Sequence, residues 1–351
     1  MADILNESLN GASGMRSRPD KDKSRAAATA QASLGYMASL LGGVLGALAA
    51  FYCLLLMLHT TGNLPPPAFS NSLCIDEKLN FLREQPAASP NLLVIGSSVA
   101  WRHFDGAAVV SHAPELRPLN GAFCGLHAHQ AVYAANWLLD RQPTVRQVLM
   151  IAAPQDFADC SKKKDAVFNR DDADDFVYGG ASRWPYYLQY FSPVSLIGNA
   201  RRVKAKRANL IELDPLVFTS FGDGPLQTKT SLEGLGYGRP EPLDPACFQS
   251  LQSLATRLQK EGRQLTVVSS PLNPAWKARE DADGAFIHDF NTRLRDVMKT
   301  TGNRYWNADA EWTTPLASFT DAIHLRWSAA QDFSAALARH IQPVTAPPAH
   351  N

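Results

Sequence analysis

Charge of either sign is missing from one long stretch: residues 26–75 contain no Asp, Glu, Lys or Arg. Net charge is nearly absent from the chain as a whole, with 34 basic residues against 33 acidic ones. A dedicated nucleic-acid binder carries a clear basic excess, so that class is set aside. Cysteine is scarce, five in 351 residues. His127 and His129 stand two apart, a spacing that does not share a helix face. No Cys or acid completes a ligand set with them, so neither a metal nor another cofactor is expected. There is no internal repeat.

The uncharged stretch has its apolar centre at Leu34–Leu58, longer than the ~20 residues that cross a bilayer as a helix. A cleaved signal peptide is the alternative, since Ala47-Leu48-Ala49 has small residues at cleavage spacing. Signal h-regions span only about 7–15 residues, however, and cleavage there would leave FYCLLLML at the mature N-terminus. The expectation is a retained single-pass anchor over 34–59. Arg16, Arg18, Lys21, Lys23 and Arg25 precede it, and no basic residue follows before Lys78. By the positive-inside rule residues 1–33 are cytoplasmic and the remainder lies outside the inner membrane, in the periplasm or an equivalent compartment.

Cys53 falls within the span. Cys74, Cys124, Cys160 and Cys247 are left in an oxidising compartment, where four cysteines allow three pairings or remain buried thiols. Residues 60–73 form a linker whose Pro65-Pro66-Pro67 run predicts a stiff spacer between bilayer and domain. A globular domain is expected over 74–342, and a disordered tail over 343–351.

Within the domain, Leu92–Ile95, Val148–Ala152 and Leu265–Val268 are short, continuous apolar runs, as in a parallel sheet covered on both faces. Asn303–Trp306 adds a further strand. Between them, Ala128–Leu139, Phe248–Leu258, Phe286–Met298 and Ser328–Ile341 carry apolar residues at helical spacing. Alternating strands and helices predict a three-layer α/β/α domain around a central parallel sheet, preceded by one transmembrane helix. Residues 160–245 interrupt that pattern with SRWPYYLQYF and the basic run RRVKAKR. This insertion is expected to form a lid or a partner surface. Its aromatic residues either stack on sugar rings or pack the insertion onto the domain.

In an open parallel sheet, functional groups collect in the loops that follow the strands. The first strand ends in Gly96-Ser97-Ser98, and VLMIA ends in Ala153-Pro154-Gln155-Asp156. Just before the final helix stands Asp321-Ala322-Ile323-His324. A serine hydroxyl needs a base to take its proton, and a histidine held by a carboxylate is such a base.

LLVIGSSVAWRHFD resembles the first block of the SGNH (GDSL-like) esterase and acyltransferase superfamily, and DAIHL resembles its last block. Asn120-Gly121-Ala122-Phe123-Cys124-Gly125 is similar to the second block, and APQD stands where the third should be. The resemblance implies an SGNH-hydrolase or flavodoxin-like fold, with Ser98 as nucleophile, His324 as base and Asp321 as its orienter. It also implies oxyanion donors at the N–H groups of Ser98 and Gly125 and at a third-block amide. Gln155 replaces the family asparagine there, which makes Asn120 a substitute candidate. Trp101 and His103 follow the nucleophile closely and are expected to line the pocket.

The function implied is serine-dependent acyl-ester hydrolysis or acyl transfer, acetyl first, on a cell-envelope polysaccharide. A multispanning membrane-bound O-acyltransferase is the implied partner. The alternative is a polysaccharide-binding or assembly module that keeps the fold without the chemistry.

Overall fold

The apolar runs become strands because both of their faces can be buried. They are β1 (Leu92–Gly96), β2 (Pro118–Asn120), β3 (Gln147–Ala152), β4 (Gln264–Ser269) and β5 (Arg304–Asn307). In the computed structural model, which describes residues 20–211, 214–227, 236–238 and 241–341, every pairing is parallel and the order is β2-β1-β3-β4-β5. Three of the expected strands fall within β1, β3 and β4, and the fourth is displaced by one residue. β2 was not anticipated: it has three residues and begins with proline.

Two units make up the chain, divided between Gly62 and Asn63. The first contains α1 (Asp20–Thr60), whose segment Ser33–Thr60 is long and apolar enough to cross a membrane. The helix therefore starts well before residue 34, the expected start of the span. Arg16, Arg18 and the tail 343–351 lie outside the described residues.

The second unit is the α/β domain. Its helices are α2 (Leu73–Glu84), α3 (Ser98–His103), α4 (Gly106–His112), α5 (Ala128–Arg141), α6 (Arg170–Val177), α7 (Tyr186–Gln189), α8 (Pro193–Ala200), α9 (Val203–Arg207), α10 (Pro245–Lys260), α11 (Pro274–Glu280), α12 (Ala285–Thr300), α13 (Ala308–Glu311) and α14 (Trp327–Ala338). Successive strand residues point to opposite faces. Leu93, Ile95, Val148, Met150 and Val267 join α2, α5, α10 and α12 in one apolar core. Leu92, Val94, Leu149, Ile151 and Val268 join α3, α4, α11 and α14 in another.

The proline run is not a free spacer. Leu64 and Pro65–Pro67 are buried, and Tyr187 Oη of α7 donates to the Pro65 carbonyl at 2.6 Å. Phe69 packs against Phe176, Tyr186 and Tyr190, with ring centroids 4.8, 5.1 and 4.9 Å away. Tyr186, Tyr187 and Tyr190 of the insertion thus pack on the start of the domain, whereas Phe191 is exposed. Disulfides join Cys74 to Cys124 and Cys160 to Cys247.

Gly96 closes β1 in a conformation that only glycine adopts readily, with φ +140°. A Cβ there would lie 2.6 Å from Ala100 Cβ and 2.7 Å from the Ile151 carbonyl oxygen of β3. Gly96→Ala is expected to cost about 1–3 kcal/mol through this overpacking and backbone strain. Thermal unfolding reads the loss, and a melting temperature equal to wild type would show that the turn tolerates a side chain.

Candidate active site

In the order β2-β1-β3-β4-β5 the chain leaves β1 and β3 toward opposite sides, the switch point at whose carboxyl end open parallel sheets place their ligands. Ser98 follows β1 there as the first residue of α3. It is half-buried between buried neighbours Ser97 and Val99, so its hydroxyl is held yet reachable. Its position leaves the Ser98 backbone N–H among the unpaired donors of a helix start.

Ser98 Oγ lies 2.9 Å from His324 Nε2. On the other side of the ring, His324 Nδ1 lies 2.8 Å from Asp321 Oδ2. Burial raises the Asp321 pKa, but the His324 hydrogen bond and charge and two backbone N–H groups outweigh it and hold the carboxyl below its ordinary value. An ionised carboxylate only accepts, so Nδ1 carries the ring proton and Nε2 is free to accept from Ser98. Asp321 Oδ1 takes the N–H groups of Ile323 and His324 at 2.9 and 2.8 Å. One carboxylate therefore shapes the loop and fixes the tautomer of the histidine it carries.

The other two blocks converge on the same turn. The Gly121 N–H donates to the Val94 carbonyl at 2.8 Å, and that of Phe123 to Gly96 at 3.4 Å, which lays the glycine block along the end of β1. Gly125 follows in a left-handed turn, φ +68°, with open space where a Cβ would be. Ser97 Oγ donates to Asp156 Oδ2 at 2.8 Å, tying the turn after β3 to the turn that carries Ser98. Gln155, beside Asp156, has both side-chain amide atoms buried and without hydrogen-bond partners among the described residues. An unpaired buried amide costs about 1–3 kcal/mol, which a bound oxyanion could offset.

Asn120 is not a spare donor. Its amide nitrogen is committed to the carbonyls of Ala100 and Trp101 and to Asp223 Oδ1, at 3.3, 3.2 and 3.1 Å. Its oxygen accepts from the Ala122 N–H at 3.1 Å. Asp223 also receives Gly106 N–H and Thr219 Oγ1, so Asn120 belongs to a structural network joining α4 to the insertion.

Trp101 and His103 do not line a pocket either. Trp101 is 1% exposed and packs against Phe218, ring centroids 5.4 Å apart. His103 is fully buried, its Nε2 accepting from the Leu325 N–H at 2.8 Å. Its Nδ1 therefore bears the proton and faces Ser270 Oγ at 2.9 Å. Burial, reinforced by nearby His324, pushes its pKa well down and keeps it neutral. His103 is a support beneath the loop that carries Asp321 and His324.

Sequence reading missed Tyr237 of the insertion, whose ring centroid lies 6.3 Å from that of His324. Burial, with Asp321 and Asp156 close by, pushes its hydroxyl up to about 12, so it stays neutral beside the base. Only a structure could place it there, since no local pattern marks it. His127 and His129 have ring centroids 6.1 Å apart, and His127 Nδ1 donates to the Ala158 carbonyl at 2.7 Å. No metal-binding group of three His, Cys, Asp or Glu residues occurs among the described residues.

The chain matches no family model and no curated protein sequence.

Asp156 is buried, and desolvation pushes its pKa up to about 7 despite the Ser97 and Ala153 hydrogen bonds. Between about pH 4 and 7 the folded chain keeps this proton while the unfolded chain releases it. Stability therefore falls as pH rises through that window and levels off above it, at up to ~1.4 kcal/mol per pH unit for one carboxyl. Asp156→Asn removes this contribution and is expected to flatten the slope. Urea unfolding at pH 5 and 7 measures it, and an unchanged difference would show that Asp156 is ionised throughout.

Proposed function

We propose that this protein carries out serine-dependent acyl-ester chemistry, by hydrolysis or by transfer of an acyl group, acetyl first among candidates. The substrate is a cell-envelope polysaccharide at the outer face of the cytoplasmic membrane. One observation carries the reading: Ser98, His324 and Asp321 form an unbroken relay, 2.9 and 2.8 Å long in its two links.

In the proposed reaction, Ser98 Oγ attacks the ester carbonyl carbon as His324 Nε2 takes the hydroxyl proton. The tetrahedral oxyanion accepts from the N–H groups of Ser98 and Gly125 and from the Gln155 amide. Collapse breaks the carbonyl–alkoxy bond, and the departing alkoxide leaves with the proton that His324 returns. Water or a sugar hydroxyl then gives its proton to His324 and attacks the acyl-serine, which regenerates Ser98. Asp321 remains ionised and stabilises the imidazolium formed in each half-reaction.

The resemblance to the SGNH superfamily supports this reading in its parts. The all-parallel order β2-β1-β3-β4-β5, Ser98 directly after β1 and the Asp-x-x-His before α14 support a reading as a three-layer α/β/α member. The apolar segment Ser33–Thr60, with its basic N-terminal flank, supports a single-pass anchor with the domain outside. By the same resemblance, a multispanning O-acyltransferase supplies the acyl group. A module that merely binds glycan has no need of a serine and a carboxylate aligned on the two nitrogens of one imidazole.

The full chain in detergent is expected to hydrolyse p-nitrophenyl acetate, and Ser98→Ala or His324→Ala to lose at least ~10³-fold in kcat while staying folded. Gln155→Ala should lose about 10²–10³-fold, the cost typical of one oxyanion donor. A fluorophosphonate should add to Ser98, read by intact mass. A wild-type chain that neither turns over nor labels would point to the binding module instead.

A further inference from the structure

A helix in water normally hides one apolar stripe, but α8 hides none. No residue of Pro193–Ala200 is buried. Val194 is 84% exposed and Ile197 55%, three residues apart and so on one face. Leu188 and Phe191, just before the helix, are exposed as well.

The charge along this stretch of sequence is of one sign. From Phe176 to Ile211 the sequence has no Asp or Glu, against six basic residues. Three of those are neutralised locally: Arg183 by Glu84, Lys206 by Asp214 and Arg207 by Glu77. Arg201, Arg202 and Lys204 are exposed and form no ion pair among the described residues. Exposed aliphatic groups beside unpaired cations suit an interface that is apolar inside and anionic at its surface.

The start of the domain is pinned to the same segment. Tyr187, which holds the Pro65 carbonyl, lies in α7, and α8 begins at Pro193, six residues later. Only Thr61, Gly62 and Asn63 separate Thr60, the last residue of α1, from buried Leu64. A tether that short reaches at most ~14 Å when fully extended.

We infer that α8 and the cations that follow it form a docking face for a bilayer containing anionic lipid, with Val194 and Ile197 entering the headgroup boundary. Arg201, Arg202 and Lys204 meet lipid phosphates. The inference rests on the anchoring part of the proposed function and is independent of its chemistry. An anionic glycan would engage the cations but has no use for two exposed aliphatic side chains on one face. A bilayer uses both.

The test is hydrogen exchange on the full chain in nanodiscs of phosphatidylcholine alone and of phosphatidylcholine with phosphatidylglycerol. Amides of residues 193–204 are expected to exchange at least tenfold more slowly in the anionic discs. R201Q/R202Q/K204Q and, separately, V194S/I197S should each return them to the rate seen in neutral discs, with p-nitrophenyl acetate turnover unchanged. Equal exchange in both disc types, from a chain that co-elutes with the discs, overturns the docking face and leaves the anchor standing. A chain that never enters discs overturns both. Protection that appears only with two chains per disc assigns the face to self-association. Protection produced in neutral discs by a soluble polyanionic glycan, and insensitive to V194S/I197S, assigns it to glycan binding.

Discussion

The carboxylate of Asp321 accepts three hydrogen bonds, two from the backbone of its own loop and one from the imidazole three residues on. Those bonds fold the Asp-Ala-Ile-His segment onto itself, so the imidazole is oriented by its own loop. The segment is held from outside too. Thr320 N–H donates to the His324 carbonyl at 2.9 Å, Asn273 Nδ2 to the Asp321 carbonyl at 3.1 Å, and Leu325 N–H to His103 at 2.8 Å. A general base displaced by an ångström loses its nucleophile, and here the restraint comes from polar groups already paired.

Burying that many polar groups is tolerable because most are kept neutral or share a proton. His103 is neutral by desolvation, and Asp156 is pushed toward neutrality while its oxygen takes the Ser97 hydroxyl. The two adjacent serines therefore divide the labour. Ser97 faces inward, also accepts from the Val99 N–H as cap of α3, and joins two loops; Ser98 faces His324. Lys78 and Asp223 make a second buried pair, with desolvation driving the lysine down and the carboxyl up. Lys78 Nζ donates to the Gly222 carbonyl at 2.7 Å, so the pair fastens the insertion to α2 rather than serving chemistry.

What could be read from the sequence was local. LLVI and VLMIA were legible as strands because a sheet covered on both faces selects unbroken apolar runs. β2 was not, since Pro118–Asn120 is too short for any periodicity to register. Ser98, Asp321 and His324 could be named because Ser98 directly follows a recognisable strand and the other two stand just ahead of a recognisable helix. Asn120 is a candidate as a spare amide for the one that Gln155 replaces, and Trp101 and His103 are candidates through nearness to Ser98. Their partners, Asp223, Phe218 and Leu325, lie about a hundred or more residues away and leave no trace in the neighbouring sequence. The proline run shows the same limit: Tyr187, 122 residues on, holds its Pro65 carbonyl, and nothing beside the run in the sequence marks that partner.

Cys124 immediately precedes Gly125, and Cys160 follows Gln155 by five residues. One disulfide fastens the glycine loop to α2, and the other fastens the stretch after β3 to α10. Both bonds thus brace loops that carry proposed oxyanion donors, while the relay of Ser98, His324 and Asp321 contains no sulfur. In the proposed topology, a chain still in the reducing cytosol has its nucleophile and base but neither brace. Oxidation after export would then complete both loops along with the fold, which makes the compartment itself a part of how the site is built.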